Sequence, residues 1–103
     1  MLSVLTDVSK ADDMEALAKK TLNEFGAVHL LFNNAGVEVT GRVWDQTLSD
    51  WEWIINVNLW GVIHGIRVFV PIMLQQQTEC HIVNTASTAA LTSGGIFLVC
   101  PDP

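Results

Sequence analysis

Basic residues are scarce: five Lys and Arg stand against eleven Asp and Glu in 103 residues, a formal net charge of −6. Apart from Lys19-Lys20, no two of them are neighbours. A phosphate backbone has to be met by clustered cations, so the composition excludes a nucleic-acid surface. Cysteine is nearly absent too. Cys80 and Cys100 form no Cys-x-x-Cys pair and no Cys/His ligand spacing, which excludes a disulfide framework and gives no reason to expect a metal site; the two read as reduced thiols in the cytoplasm. Residues 1–13 hold no basic stretch followed by an apolar run and carry Asp7, Asp12 and Asp13, so no secretory signal is expected. There is no internal repeat and no low-complexity tract. What is abundant is apolar: half of all residues are hydrophobic, enough for the core of one small domain.

The most informative stretch is Val28-His29-Leu30-Leu31-Phe32-Asn33-Asn34-Ala35-Gly36, an apolar run that stops in two amides and two very small residues. It is too short for a helix and lacks polar alternation, which predicts a parallel strand covered on both faces. Ligands of open α/β sheets sit beyond the carboxyl ends of the strands, so residues 33–36 are placed where binding is expected. Upstream, Leu2-Ser3-Val4-Leu5 reads as the tail of a strand. Ser9 with Asp12 reads as an acidic capping box opening a helix, with Met14, Leu17, Ala18, Thr21, Leu22 and Phe25 on one face and Gly26 at its end. Downstream, residues 37–48 read as a loop, and Ser49 with Glu52 as a second capping box. Residues 53–74 are apolar nearly all round despite Asn56, Asn58, His64, Arg67 and Pro71, and such a helix needs cover on every side. His81-Ile82-Val83-Asn84-Thr85 reads as another buried strand, and Ala86-Ser87-Thr88 leaves it at the same edge as residues 33–36.

Four motifs in order, Asp7-Val8, Asn33-Asn34-Ala35-Gly36, Asn56-Val57-Asn58-Leu59-x-Gly61 and Ile82-Val83-Asn84-x-x-Ser87, resemble the middle of a short-chain dehydrogenase/reductase. The resemblance implies an α/β fold: a partial Rossmann-type, doubly wound parallel sheet with helices packed on the strands. It assigns residues 1–95 to a partial NAD(P)-binding domain and leaves 96–103 as a divergent tail. It also implies NAD or NADP as cofactor and an alcohol or carbonyl as substrate. Asp7 matches the acid that binds the adenine amino group, with Val8 beside the ring. Asn33, Asn34, Ala35 and Gly36 match the segment that steadies the sheet and passes the adenosine ribose. Asn58 matches an active-site Asn at a distortion of the long helix, whose main-chain carbonyl holds a water of the proton relay. Ser87 matches the Ser whose hydroxyl orients the substrate carbonyl. Without the resemblance, Asn58 would read as a satisfied core amide and Ser87 as a helix cap.

The departures are as specific. The family's Gly-rich turn, which sets a pyrophosphate on a helix N-terminus, is expected upstream of Asp7, and no window here has its glycine spacing. The family's acid/base is a Tyr with a Lys four residues on, about a dozen residues past the Ser. This chain has no Tyr, its Lys residues (10, 19 and 20) all precede Ser87, and the alignable position falls near Cys100. The chain alone is therefore expected to be an inactive fragment, with the outer edge of the central strand open. An alternative is a non-catalytic module that pairs with full-length relatives, or with itself as a homo-oligomer, through helix 53–74. The length of that helix and its Gly61-x-x-x-Gly65 spacing also suit a membrane span, but its two Asn, His, Arg and Pro weigh against one, and no membrane partner is expected.

Overall fold

The computed structural model describes residues 1–88 and 91. Helix α1 (Ala11–Phe25) is followed by strand β1 (Leu30–Asn33), a short 3-10 turn (Val43–Asp45), helix α2 (Leu48–Ile55), one wide π turn (Asn56–Trp60), helix α3 (Gly61–Gln75) and strand β2 (His81–Asn84). The strands pair in parallel, Leu30 with His81 through Asn33 with Asn84. The partial α/β, Rossmann-type architecture expected from the sequence is the one observed.

Helix α1 begins one residue later than expected. Its N-cap is Lys10, whose side chain makes no cap bond, while Ser9 turns back and donates its N–H and hydroxyl to Asp7 Oδ1 at 3.0 and 2.7 Å. Asp13, from the first turn, accepts the N–H of Asp7 at 2.9 Å. The capping box at Ser9 is thus replaced by an Asx turn at Asp7, because the Asp carboxylate reaches the backbone N–H two residues on. Gly26 closes the helix at φ +81°, its N–H donating to Leu22. Met14 and Ala18 are buried against Val28, Phe69 and Met73, so α1 docks on α3 rather than on the strands alone. Phe25, expected on the same face, is 60% exposed, beyond the reach of that core.

The expectation that both faces of the central strand are covered fails. Leu31 packs on the core and Asn33 is buried, while Leu30 and Phe32 are exposed. Side chains alternate across a strand, and the helices cover only the face carrying Leu31 and Asn33. Strand β2, also expected to be buried, is exposed on both faces, because α3 packs over β1 and no described helix lies over β2. Residues 2–5 form no strand: among the described residues the sheet holds β1 and β2 alone.

The second capping box lies two residues before the one expected. Thr47 accepts the Asp50 N–H, and Asp50 accepts the Thr47 N–H, both at 3.1 Å, so Ser49 and Glu52 play no part in it. From this cap the helical run continues as Leu48–Gln75, long and apolar enough by composition to cross a membrane, with only 22% of its most apolar window buried. Trp53, Leu59, Trp60 and Leu74 are among its exposed side chains, so the cover expected on every side is absent within the described chain. Gly61 and Gly65 are turned inward. A Cβ on Gly61 would lie 2.7 Å from Val8 Cγ2, and one on Gly65 would collide with the Asn33 carboxamide.

This close approach is what lets α3 lie flat on the end of β1. Gly65→Ala should therefore destabilise the chain by about 1–3 kcal/mol, as overpacking of a tight contact does, read as a lower urea midpoint with an unchanged slope. An unaltered midpoint would show that Asn33 can withdraw freely.

Candidate functional site

The carboxyl end of β1 is built from amides bonded across the strand pair. Asn33 donates from Nδ2 to Asn84 Oδ1 at 2.9 Å, and its carbonyl accepts the Thr85 N–H at 3.0 Å. One step further, the Thr85 hydroxyl donates to Asn34 Oδ1 at 2.7 Å. These bonds extend the sheet past its last ladder pair and hold the exits of both strands together. A buried amide left unpaired costs about 1–3 kcal/mol, so their mutual satisfaction fixes the geometry of this edge.

The chain then passes Ala35 and Gly36 to reach Val37, where it is gripped from the long helix. Asn58 accepts the Val37 N–H at 2.8 Å on Oδ1 and donates to the Val37 carbonyl at 2.9 Å from Nδ2. The carboxamide substitutes for a neighbouring strand. Asn58 is in position to do so because it sits in the π turn Asn56–Trp60, the distortion that the resemblance implied. Gly36 is close under this clamp: a Cβ there would lie 3.4 Å from Asn58 Oδ1.

Beside the edge lies a cleft of about 160 Å³. Val8, Asn33, Asn34 and Ala35 all line it, with Val4 and Leu31 among the apolar remainder. Its volume is below the roughly 300 Å³ at which pockets for whole small molecules begin, so it suits one ring of a larger ligand. Asp7 stands next to Val8 but is fully exposed and does not line the cleft, and its carboxylate is occupied by Ser9. The Ser9 hydroxyl, then the Ser9 N–H, hold the Asp7 carboxyl below the usual carboxylate range, with Lys10 adding a smaller favourable charge.

The structure therefore brings Val8, Asn33, Asn34 and Ala35 to one cleft and sets Gly36 and Asn58 beside it. Ser87 leaves β2 at the same end of the sheet, three residues after Asn84, and is exposed. Cys100 and the tail 96–103 lie outside the described residues. Trp44 and Trp51 line no part of the cleft: both are exposed, and Trp44 lies under the Arg42 guanidinium at 5.7 Å. The sequence reading missed Asn84 and Thr85, the partners that tie the edge. Their signal was present, since two polar residues ending one apolar run stand level with two ending the other.

A family model described as short chain dehydrogenase matches residues 1–99. The dehydrogenase/reductase of CLA biosynthesis from Lactiplantibacillus plantarum is 38% identical over 91 residues, 88% of this chain and 32% of that protein. A short chain dehydrogenase/reductase from Burkholderia phymatum, solved in complex with NAD, is 52% identical with a TM-score of 0.87, over 93% of this chain and 35% of that one. A 3-ketoacyl-(acyl-carrier-protein) reductase from Brucella melitensis, complexed with NADH, is 33% identical with a TM-score of 0.83, over 86% of this chain and 38% of that one. The chain thus spans about a third of the length of these relatives.

The Asp7 turn gives a pH-dependent prediction. A carboxyl held below its unfolded value supports the turn above that value and loses it as pH falls through the lowered one. Ser9→Ala removes the largest cause, so the Asp7 carboxyl carbon, followed by NMR, should titrate at higher pH than in the parent chain. No upward movement would mean that the Ser9 hydroxyl does not hold Asp7 in solution.

Proposed function

This chain belongs to the short chain dehydrogenase family, and from that premise we propose that it carries the adenosine side and part of the catalytic edge of an NAD- or NADP-dependent oxidoreductase acting on an alcohol/carbonyl pair. The observation that supports this reading is the convergence of Val8, Asn33, Asn34 and Ala35 on one cleft beside the Asn58 clamp. The residues present fit the adenosine end of a dinucleotide: the cleft is ring-sized, walled by Val8 and lined at its edge by the small Ala35, where a ribose could approach the backbone. A bound nicotinamide would supply or accept the hydride.

In this reading the roles of the chain's own residues follow from their chemistry. Asn33 and Asn34 keep the edge rigid through Asn84 and Thr85, leaving little to reorganise when a ligand arrives. Asn58 spends its side chain on Val37, so its contribution to a proton relay falls to its main-chain carbonyl, in the π turn where regular helical bonding is interrupted. Ser87 donates its hydroxyl to the substrate oxygen. The proton exchanged with that oxygen needs a group of suitable pKa, and no Tyr exists in these 103 residues to supply it. We therefore assign the isolated chain a binding role without turnover, in the cytoplasm.

Titrating the labelled chain with NAD should move the amide resonances of Val8 and residues 34–36. No hydride transfer should exceed a buffer control in a preparation free of host dehydrogenases. NAD that leaves those resonances unmoved would overturn the binding reading, and turnover would overturn the assignment of inactivity.

A second reading rests on a different observation, the apolar side chains that the long helix leaves exposed: Trp53, Ile55, Leu59, Trp60, Ile66 and Leu74. Large apolar side chains exposed along one helix suit a pairing surface for a second copy or a full-length relative. Ile66→Glu should shift the chain toward smaller species in light scattering. A parent chain already monomeric at micromolar concentration would remove this reading.

A further inference from the structure

At the end of β1 remote from the site, a second carboxamide does what Asn58 does at the near end. Gln76, the C-cap residue just past the long helical run, accepts the Val28 N–H on Oε1 at 2.8 Å and donates from Nε2 to the Val28 carbonyl at 2.6 Å. Val28 is buried in the core formed with Met14, Ala18, Phe69 and Met73, and Cys80 Sγ closes the arrangement at 3.4 Å from Gln76 Nε2. Each amide thus makes a two-point bond to the backbone of one residue, as a neighbouring strand would.

The spacing of the two clamps gives them a joint consequence. Asn58 and Gln76 are eighteen residues apart on one continuous helical run, about 27 Å at the helical rise. Val28 and Val37 are nine residues apart, with the four-residue strand Leu30–Asn33 between them. The order is opposed, Asn58 to Val37 and Gln76 to Val28, as the antiparallel run of helix against strand requires. The stretch 28–37, with β1 at its middle, is therefore held at both ends by side chains of one helical run.

We propose that Gln76 is a positioning residue for the edge 33–36: by fixing the axial position of Val28 on the helix, it sets where Asn34, Ala35 and Gly36 stand relative to Asn58 and to the exit of β2. The side chain lies at the opposite end of the strand from residues 34–36, so its influence travels through β1. This role holds whether or not the edge binds a dinucleotide, and its test uses no ligand.

Three forms of the full chain decide it, followed by amide resonances and hydrogen exchange: the parent, Gln76→Met and Gln76→Glu. In Gln76→Met, similar in length and without hydrogen-bonding groups, exchange at the Val28 N–H should accelerate roughly tenfold, the loss of one net hydrogen bond. The amides of residues 34–37 should shift while the methyl resonances of Met14 and Ala18 stay in place. In Gln76→Glu the ionised carboxylate accepts from the Val28 N–H but faces the Val28 carbonyl without a proton to give. Its spectrum at residues 34–37 should resemble that of Gln76→Met at neutral pH and return toward the parent as the introduced carboxyl protonates, against a parent scanned over the same pH range. A space-filling role would produce no such return. If Val28 loses protection and residues 34–37 do not move, the clamp is local and the proposal is wrong. If Gln76→Met does not fold, the pH response of Gln76→Glu alone decides between the two.

Discussion

The fold depends on how closely the long helix can approach the end of the first strand. Gly65 lies over the Asn33 carboxamide and Gly61 over Val8, and at both positions a methyl group would occupy space that is already taken. With two glycines one turn apart, the helix axis can drop onto the strand, and this sets every other distance at the site. The π turn then falls level with Val37, so the Asn58 carboxamide reaches its backbone, and the helix end falls level with Val28, so Gln76 does the same. Small residues at this spacing mark close packing of backbones in any solvent. Here the partners are a strand and a turn of the same chain.

How much of this was legible in the residues depends on whether the signal was local. The parallel strands were readable because an apolar run that halts at Asn33-Asn34 is hard to place otherwise, and the helix ending at Gly26 was readable because only glycine enters the left-handed region cheaply. The helix starts were misplaced by one and two residues because several Ser, Thr and Asp compete at each. Local hydrogen bonding decided the contest: Asp7 captured Ser9, and Thr47 paired with Asp50. Burial was misjudged where it depends on residues distant in sequence. Leu30 and Phe32 look like core by composition, yet no described element covers their face. The Gln76 clamp had no sequence signal at all, since a Gln in a polar connection becomes a strand surrogate only when a helix 28 residues long ends level with Val28.

The candidate site was legible in a different way. Val8, Asn33, Asn34 and Ala35 were picked out by motif and stand together around one cleft, while Asp7, picked out by the same resemblance, is turned to Ser9 and solvent. A carboxylate bonded to its own turn must leave it, or accept further donors on its second oxygen, before it can hold an adenine.

The order of this edge does not derive from a deep core. Among the described residues only Met14, Ala18, Val28, Val57, Phe69 and Met73 are buried hydrophobic side chains, none below 2% exposure, and one whole face of the sheet is open. A chain of this size is marginal even with a complete core. Yet residues 33–37 are held by five directed hydrogen bonds through Asn84, Thr85 and Asn58, none of which requires the open face to be covered. Their strengths differ with burial. The bond of Asn33 to Asn84 lies under the helix, where breaking it would leave a buried amide unpaired, whereas the Asn58 clamp is solvated and each of its bonds contributes on the order of 1 kcal/mol. Loosening of the edge should accordingly begin at Val37 and end at Asn33, so that the strand beneath keeps its register after the Asn58 clamp has opened.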